Sequence, residues 1–285
     1  CNPMTELEIG SKRVAVVVLN WNGWRDTLEC LASLEKLSYP NFEVIVVDNG
    51  STDGSQAHIE SHCPKIKVVQ TGANLGFGGG CNVGIRRALE QGADYVWLIN
   101  SDATVDSNAL TELVHLANEQ TSIGAVGSVL FEANQPERVQ LWGGGKVQLW
   151  SGSAHHQVRC AQLDYLSGAS MLLRREALVQ VGLFDEQTFF MYWEDSDLGF
   201  RLRQAGWQLR VAEKSHVWHK LSASLGQGSC QLDTYFTRSG VRFLRRYSPT
   251  ANLSVLMMMG RMLLKRIVMG EFARAKSVFQ GYLDA

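Results

Sequence analysis

Three carboxylates follow an aromatic run in the second half of the chain. Glu194, Asp195 and Asp197 lie within four residues, directly after the five large apolar side chains of Phe189–Trp193. Acids at a helix start are also favoured by the helix dipole, which accounts for one or two of them. Three acids next to a run of apolar side chains indicate a site from which water is excluded. Such surroundings raise the proton affinity of a carboxylate. We therefore predict that this cluster performs general acid–base chemistry.

A further acid, Asp102, follows the apolar segment Tyr95–Ile99, which has the composition of a buried strand. A carboxylate at the end of a strand is well placed to hold a divalent cation, and such a cation can bridge a diphosphate. The alternative is an N-cap for the next helix. Asp102 alone does not decide between the two.

Two histidines, His216 and His219, lie three residues apart near the end of the same region. Most histidines are structural, and this pair makes only a weak metal-binding motif. The 24 positions from Asp195 to His219 fit a helix followed by a returning strand. Such a strand would bring His219 back to the acidic site.

The segment Asn74–Asn82 contains four glycines. It departs from the dinucleotide-binding fingerprint, because Cys81 stands where the third glycine is required. The chain also has neither a Walker phosphate loop nor a GxSxG nucleophile elbow. We predict that the glycines let the backbone approach a ligand closely, ahead of the helix that carries Asn82.

Strands and helices alternate through the first hundred residues. Apolar runs without polar alternation predict strands buried on both faces. The predicted strands are Val14–Asn20, Glu43–Val47, Ile66–Gln70 and Tyr95–Asn100. The predicted helices between them are Trp24–Leu37 and Gly80–Gln91. This order predicts an α/β fold with a mostly parallel central sheet flanked by helices.

Polar residues stand at the ends of three predicted strands. They are Asn20, Asp48 and the run Asn100–Asp102. Ligands bind outside the carboxyl ends of the strands in such sheets. We therefore expect these residues to line one crevice.

The pattern changes after Val126. Glycines and polar residues up to Arg159 predict loops and antiparallel strands, and Ser196–Ala205 predicts a helix that Gly206 ends. From about Gln231 onward the chain is predicted to be helical and basic. The predicted divisions are a catalytic domain at 1–230, with halves at about 14–125 and 126–230, and a helical extension at 231–285.

The composition is that of an ordinary globular protein, with 45% hydrophobic and 19% charged residues. A net charge of −1 gives no general attraction to nucleic acid, so no nucleic-acid partner is expected. Six scattered cysteines without a CxxC pair argue against a zinc module and a disulfide scaffold. Because no signal peptide is visible either, we expect a cytoplasmic location. The longest apolar stretch, Leu253–Met269, contains three basic residues and could lie on a bilayer but not span it.

These motifs, in this order over residues 14 to 220, resemble those of family-2 glycosyltransferases of the GT-A fold, and within that family bacterial rhamnosyltransferases. The matching segments are Val17–Asn22, Val46–Asp53, Asn74–Phe77 with Asn82, Leu98–Asp102, Tyr165–Ala169, and Trp193–Leu198 with Arg201 and Gly206–Trp207. The resemblance implies inverting transfer of a sugar, with rhamnose the first choice, from a nucleoside-diphosphate donor to a hydroxyl. The first donor to test is dTDP-rhamnose. The implied acceptor is a saccharide or a lipid-linked glycan of surface polysaccharide synthesis.

The resemblance also implies roles for individual residues. Asp195 corresponds to the catalytic base, with Glu194 beside it. Asp102 corresponds to the last acid of the metal-binding motif, and His219 to the histidine that often completes the shell of Mg²⁺ or Mn²⁺. The implied donor contacts are Asn20, Asp48, Asn74, Gly76, Asn82, Ser101 and Gly168. The implied acceptor contacts are Trp193 and Asp197.

One departure from the family pattern concerns the metal. The motif often has two acids, but here Asn100 and Ser101 precede Asp102. Metal binding then depends on one carboxylate, the diphosphate oxygens, water and His219. This predicts only a modest dependence on added metal.

Two other functions stay open on the sequence. A non-catalytic nucleotide-sugar-binding module would have the same fold, although intact Asp102, Asp195 and His219 argue against it. A nucleotidyltransferase would normally have a basic glycine-rich loop after the first strand. The segment Asn20–Arg25 is not such a loop.

The C-terminal extension has nine basic and three acidic residues between Asp233 and Ala285, interleaved with Leu and Met. This pattern fits helices that lie on the inner face of a membrane, where a lipid-linked acceptor would be found. It equally fits a helical cap that packs on the catalytic core or on a second subunit of a homodimer. The sequence leaves both open.

Overall fold

The computed structural model describes residues 12–155, 159, 162–220 and 229–285. Cys1, Cys160 and the N-terminal segment without a visible signal peptide lie outside these ranges. The strands are β1 (Val14–Asn20), β2 (Phe42–Asp48), β3 (Val68–Gln70), β4 (Tyr95–Asn100), β5 (Ala103–Val105), β6 (Ile123–Glu132), β7 (Gln135–Trp142), β8 (Gly144–Gln148), β9 (Ser153–His155), β10 (Tyr165–Leu166), β11 (Ser170–Arg174) and β12 (Gln208–His219). The helices are α1 (Trp24–Leu34), α2 (Ser55–His62), α3 (Gly76–Glu90), α4 (Ala109–Glu119), α5 (Arg175–Val181), α6 (Glu194–Gln204), α7 (Cys230–Tyr247), α8 (Ala251–Val268) and α9 (Phe272–Leu283).

The first four strands form a parallel half of the central sheet, in the order β3-β2-β1-β4. Alternate residues of β1 enter two different apolar cores, because helices cover both faces of the sheet. Asn20 lies directly opposite Asp48 at the carboxyl ends of β1 and β2. The crevice expected from the sequence therefore begins at this edge.

Beyond β4 the sheet is mixed. β11 runs antiparallel to β4 and β6, β12 runs parallel to β6, and β5 runs antiparallel to β12. The end of β12 lies beside β5, with His219 opposite Ala103. The returning strand predicted from the spacing thus carries His219 to the edge of the sheet where Asp102 follows β4. A second small sheet has the order β10-β8-β9.

Helix α3 begins at Gly76, four residues before the predicted start. Glycine is a poor helix former, which is why the glycine run predicts a loop. Packing overrides this preference: a Cβ at Gly80 would lie 2.5 Å from Leu19 Cδ1, and one at Gly84 would lie 2.4 Å from Val17 Cγ1. The glycines allow α3 to lie close against β1.

The three helices from Cys230 onward pack on the rest of the chain. Val241 and Phe243 of α7 share an apolar core with Phe189 and Trp193 of the aromatic run. None of the helices in the described ranges is long and apolar enough to cross a membrane. The division into domains at residue 231 stays a prediction.

Candidate active site

Asp102 and His219 meet at the carboxyl end of β4. His219 Nε2 lies 3.2 Å from Asp102 Oδ1 and 3.1 Å from Asn100 Nδ2. Asp102 does not cap a helix, because β5 follows it directly and α4 begins only at Ala109. The two residues predicted to hold a metal are therefore neighbours in space.

Gln140 of β7 orients the imidazole. Its Oε1 lies 3.2 Å from His219 Nδ1. Because an amide oxygen only accepts, Nδ1 carries the hydrogen and Nε2 keeps a lone pair. Nε2 then accepts from the Asn100 amide at 3.1 Å and lies 3.2 Å from Asp102 Oδ1, so that an imidazole nitrogen and a carboxylate oxygen lie close together. The donor set therefore fits a divalent metal ion.

The protein offers this ion few ligands. No group of three or more His, Cys, Asp or Glu side chains within the described ranges is placed to hold a metal. His216 does not join His219, since its Nε2 lies 3.2 Å from the Glu213 carbonyl and its ring packs edge-on against Phe131. A bound ion would take its other ligands from a diphosphate and water.

Asp48 is held by a network of polar side chains. Asn20 Nδ2 donates to its Oδ1 at 2.7 Å, and Gln70 Nε2 donates to its Oδ2 at 2.6 Å. The Ser51 hydroxyl also donates to Oδ1, and the Thr27 hydroxyl donates to Asn20 at 2.8 Å. Asn20 and Asp48 are both buried. The network fixes the position of Asp48 and leaves little of its carboxylate for a donor base, so direct base contact stays a prediction.

Asn49 organises the turn before α3. Its Nδ2 donates to Asn74 Oδ1 at 3.1 Å and to the Gly76 carbonyl at 3.0 Å, and its Oδ1 accepts from the Leu75 backbone N–H at 3.0 Å. Gly76 has a φ of +76°, and a Cβ there would lie 2.0 Å from the Phe190 carbonyl oxygen. Only glycine therefore lets the turn approach the aromatic run this closely.

Asn82 is buried and fully engaged with the protein. Its Nδ2 donates to the Phe184 carbonyl at 2.9 Å and to Glu186 Oε2 at 2.7 Å, and its Oδ1 accepts from the Phe184 N–H at 3.1 Å. Asn82 thus fixes the segment that leads into the aromatic run. We do not retain it as a direct donor contact.

Glu194 and Asp195 open α6 in different surroundings. Asp195 accepts from the Ser196 backbone N–H at 2.7 Å and from that of Gly168, and both bonds favour its ionised form. Glu194 is buried, and its Oε2 has no hydrogen-bond partner within the described ranges. Burial raises the pKa of both carboxyls, and the Asp195 charge raises the pKa of Glu194 further. Of the two neighbouring carboxyls, Glu194 is therefore the one that holds a proton more tightly.

The residues before this pair adopt an unusual backbone conformation. Tyr192 and Trp193 have φ values of 65° and 69°, which cost side-chain-bearing residues about 1–3 kcal/mol each. The Trp193 ring holds the conformation by packing 4.8 Å from the Phe243 ring and 5.6 Å from the Phe236 ring of α7. Trp193 is only 5% exposed, so little of its ring is left for an acceptor.

Asp197 joins two helices rather than lining a cleft. It is fully buried, and its carboxylate binds Arg201 at 2.8 Å, Arg246 at 2.7 Å and the Tyr247 hydroxyl at 2.7 Å. A carboxylate without exposed surface cannot contact an acceptor. The expected acceptor role of Asp197 is therefore not retained, and the residue ties α6 to α7.

Two clefts adjoin at the aromatic run. The first is lined by Trp21, Asn74, Ser101, Asp102, Tyr192 and His219, among others. The second is lined by Ser153, Tyr165, Tyr192, Asp195, Phe236 and Arg261, among others. Tyr192 lines both clefts. The candidate metal ligands and the candidate base thus face neighbouring clefts, as a donor and an acceptor require.

Sequence reasoning did not single out four of these residues. They are Asn49, Gln140, Tyr192 and Arg261. Asn49 directly follows Asp48 within the motif Val46–Asp53, and Tyr192 belongs to the aromatic run, so both have a local signal. Gln140 and Arg261 reach the site from β7 and α8, and no local pattern marks them.

A family model described as "Glycosyl transferase family 2" matches residues 15–182, more than half of the chain. The chain belongs to this family. A relative from Mycobacterium tuberculosis, N-acetylglucosaminyl-diphospho-decaprenol L-rhamnosyltransferase, is 32% identical over 224 residues, which are 69% of this chain and 72% of the relative. The predicted class of enzyme, a glycosyltransferase, is confirmed, and the nucleotidyltransferase alternative is set aside.

Two solved structures share the fold. The mannosyltransferase of Pyrobaculum calidifontis in complex with GDP-Man and Mn²⁺ has a TM-score of 0.62 and 17% identity, over 97% of this chain and 77% of that one. GalNAc-T7 with UDP, GalNAc and Mn²⁺ has a TM-score of 0.69 and 16% identity, over 93% of this chain and 54% of that one. The predicted GT-A type α/β fold is confirmed.

Proposed function

We propose that this glycosyltransferase transfers a sugar from a nucleoside diphosphate to an acceptor hydroxyl with inversion, and that Asp195 is the general base. The observation that carries the proposal is the environment of the Asp195 carboxylate. It lines the second cleft, and the Ser196 and Gly168 N–H groups stabilise its ionised form. A base must be ionised to accept a proton.

In the proposed reaction the acceptor O–H gives its proton to Asp195 while the oxygen attacks the anomeric carbon. The bond from that carbon to the diphosphate oxygen breaks, and the nucleoside diphosphate leaves from the opposite face. General-base assistance contributes about 10²–10⁴-fold to such a step. Glu194 keeps its proton and adds no second charge beside Asp195.

A divalent ion, Mg²⁺ or Mn²⁺, is proposed at Asp102 and His219. The observations that support it are the 3.2 Å distance between His219 Nε2 and Asp102 Oδ1 and the Mn²⁺ of both solved neighbours. When bound, such an ion neutralises the leaving diphosphate as a Lewis acid. Gln140 holds the imidazole in the orientation that this requires.

We propose rhamnose as the donor sugar, with dTDP-rhamnose as its carrier, and a lipid-linked saccharide as the acceptor. The support is the name of the Mycobacterium tuberculosis relative, an L-rhamnosyltransferase of N-acetylglucosaminyl-diphospho-decaprenol. Donor binding is assigned to about 14–125 and acceptor binding to about 126–230. The helices from 231 onward complete the acceptor side, since Arg261 and Phe236 line the second cleft.

Two measurements test the proposal. A thermal-shift screen of sugar nucleotides, with and without Mn²⁺, identifies the donor as the compound that stabilises the chain most. That donor is then incubated with N-acetylglucosaminyl-diphospho-polyprenol, and the anomeric configuration of the product is read by NMR. A product with retained configuration would contradict the role of Asp195. Donor binding without any transfer to saccharide acceptors would support the non-catalytic alternative.

A further inference from the structure

Five large apolar side chains at the turn between α8 and α9 are exposed to solvent. They are Leu264, Ile267, Val268, Met269 and Phe272, each 51–77% exposed, and we call them the apolar tip. Soluble proteins rarely expose such a run of neighbouring apolar residues unless it binds something. We propose that the apolar tip inserts into the surface of an anionic lipid bilayer.

The same helices carry a strong positive charge. Residues 229–285 contain nine Lys and Arg and three acids, a net charge of +6, whereas the whole chain has −1. The rest of the chain therefore carries −7. Arg246 pairs with Asp185 and Asp197 of the remainder. The cations left over favour an orientation with the C-terminal helices towards a negative surface.

Four of these nine cations, all on α8 and α9, form two groups. Arg266 and Arg274 form salt bridges with Asp233 and Glu271, at 2.7 to 3.1 Å, and these hold the three helices together. Lys265 is exposed beside the apolar tip, and Lys276 is exposed on α9. These two lysines are available to lipid phosphates, as on helices that lie at the lipid interface.

Charge also decides whether a bilayer or a second copy of the chain is the better partner for the apolar tip. Two copies that met through the apolar tip would bring together two helical segments that are each basic, with nine Lys and Arg against three acids, and these repel each other. An anionic bilayer offers the opposite charge and covers the apolar side chains at the same time. The lipid surface is therefore the occupant that these helices fit.

The apolar tip lies next to the second cleft, which is the proposed acceptor site. Arg261 of α8 lines that cleft and donates to the Ser151 and Gly152 carbonyls at 3.1 and 3.0 Å. At 1.5 Å per helical residue, the tip begins about 5 Å further along α8. Insertion would hold the cleft at the membrane surface, where a lipid-linked acceptor presents its sugar. This last step rests on the proposed function, whereas lipid binding itself does not.

Vesicle flotation of the full chain tests the apolar part of the proposal. Val268→Asp should weaken binding to phosphatidylcholine vesicles containing phosphatidylglycerol by at least about tenfold, because a charge replaces a side chain buried in the acyl boundary. Val179→Asp is the matched control: Val179 of α5 is 70% exposed, close to the 77% of Val268, and lies outside the extension. Equal effects of the two variants, or no binding by the unmodified chain, would overturn the proposal. Thermal unfolding checks that both variants fold.

The electrostatic part has its own test. Lys265→Gln should weaken binding to the anionic vesicles about fivefold, and Lys276→Gln similarly, whereas the exposed Lys146→Gln of β8 should not. Sedimentation without lipid tests the rival occupant. A dimer that Val268→Asp dissociates, combined with no vesicle binding, would assign the apolar tip to a second copy instead.

Activity on a water-soluble acceptor saccharide separates this inference from the proposed function. Val268→Asp should retain that activity and lose activity on an acceptor embedded in vesicles. Loss of vesicle binding with both activities unchanged would overturn the placement of the cleft at the membrane. Absence of transfer by the unmodified chain would contradict the proposed function and leave the flotation result standing.

Discussion

Arg246 of α7 places its Nη1 2.7 Å from Oδ1 of Asp197, a fully buried carboxylate near the start of α6. The same guanidinium reaches Asp185 at 2.8 Å. One arginine of the C-terminal helices thus holds both ends of the segment that contains the aromatic run and Asp195. Two ion pairs of Arg246 therefore join the segment that contains the proposed base to the C-terminal helices.

The first prediction concerns this contact. Arg246→Met should lower the free energy of unfolding by about 2 kcal/mol, because Asp197 keeps Arg201 and Tyr247 but loses a charged partner. The neighbouring Arg245→Met should cost less than about 1 kcal/mol, since Arg245 is exposed and its ring contact with Tyr282 is long, at 5.9 Å. Urea unfolding measures both. Equal losses of unfolding free energy in the two variants would show that the contact between Arg246 and Asp197 does not stabilise the fold.

The second prediction concerns the close approach at Gly76. Gly76→Ala should destabilise the chain by more than about 2 kcal/mol, because its Cβ would lie 2.0 Å from the Phe190 carbonyl oxygen in addition to the strain of a positive φ. Gly92 has a similar φ of +83° with nothing within 4 Å, so Gly92→Ala should cost only about 1 kcal/mol. The difference between the two losses of unfolding free energy measures the effect of the close contact with Phe190. Donor affinity, measured by calorimetry, should fall for Gly76→Ala alone.

The parts of the fold that follow from local patterns were predictable. The apolar runs of β1, β2 and β4 indicated a parallel sheet, and the spacing from Asp195 to His219 indicated a returning strand. The start of α3 was wrong by four residues, because packing against Leu19 and Val17 overrides the low helix propensity of glycine.

The parts of the site that depend on distant pairing were not predictable. Nothing near Gln140 in the sequence shows that it faces His219 across 79 positions, or that Arg246 binds Asp197. An acid in a cluster of three has the same local sequence pattern whether it acts as a base or forms buried ion pairs. Only the tertiary partners separate Asp195 from Asp197.

The third prediction concerns the metal ligands. Gln140→Leu should weaken Mn²⁺ binding in the presence of a nucleoside diphosphate by about 10–100-fold, because the imidazole loses the acceptor that fixes its tautomer. His219→Ala should weaken it at least as much, and His216→Ala should have no effect, since His216 contacts Glu213 and Phe131 instead. Calorimetric titration measures all three. Unchanged affinity in His219→Ala would remove the histidine from the site.

The fourth prediction separates the two neighbouring carboxyls by activity. Asp195→Asn should lower transfer by about 10²–10⁴-fold with donor binding nearly intact, because the base is lost. Glu194→Gln should keep most of the activity, since a neutral amide replaces a carboxyl that already holds its proton. The acid limb of the rate profile should lie above the ordinary aspartate pKa of about 3.9 in the unmodified enzyme, because burial raises the pKa of Asp195. The reverse ranking of the two variants would make Glu194 the base.

The fifth prediction is that Glu194 also imposes a stability cost that depends on pH. Burial raises its pKa in the folded state, so the unfolded chain releases this proton at a lower pH, from about 4.3 upward. Folding must then retain a proton that the unfolded state has lost, and the contribution of Glu194 to stability falls as pH rises towards the folded pKa. Glu194→Gln removes that dependence, and should raise the melting temperature at mildly alkaline pH but not at acidic pH. A gain of equal size at both pH values would mean that Glu194 is ionised in the folded enzyme. That result would contradict the assignment of a proton to Glu194.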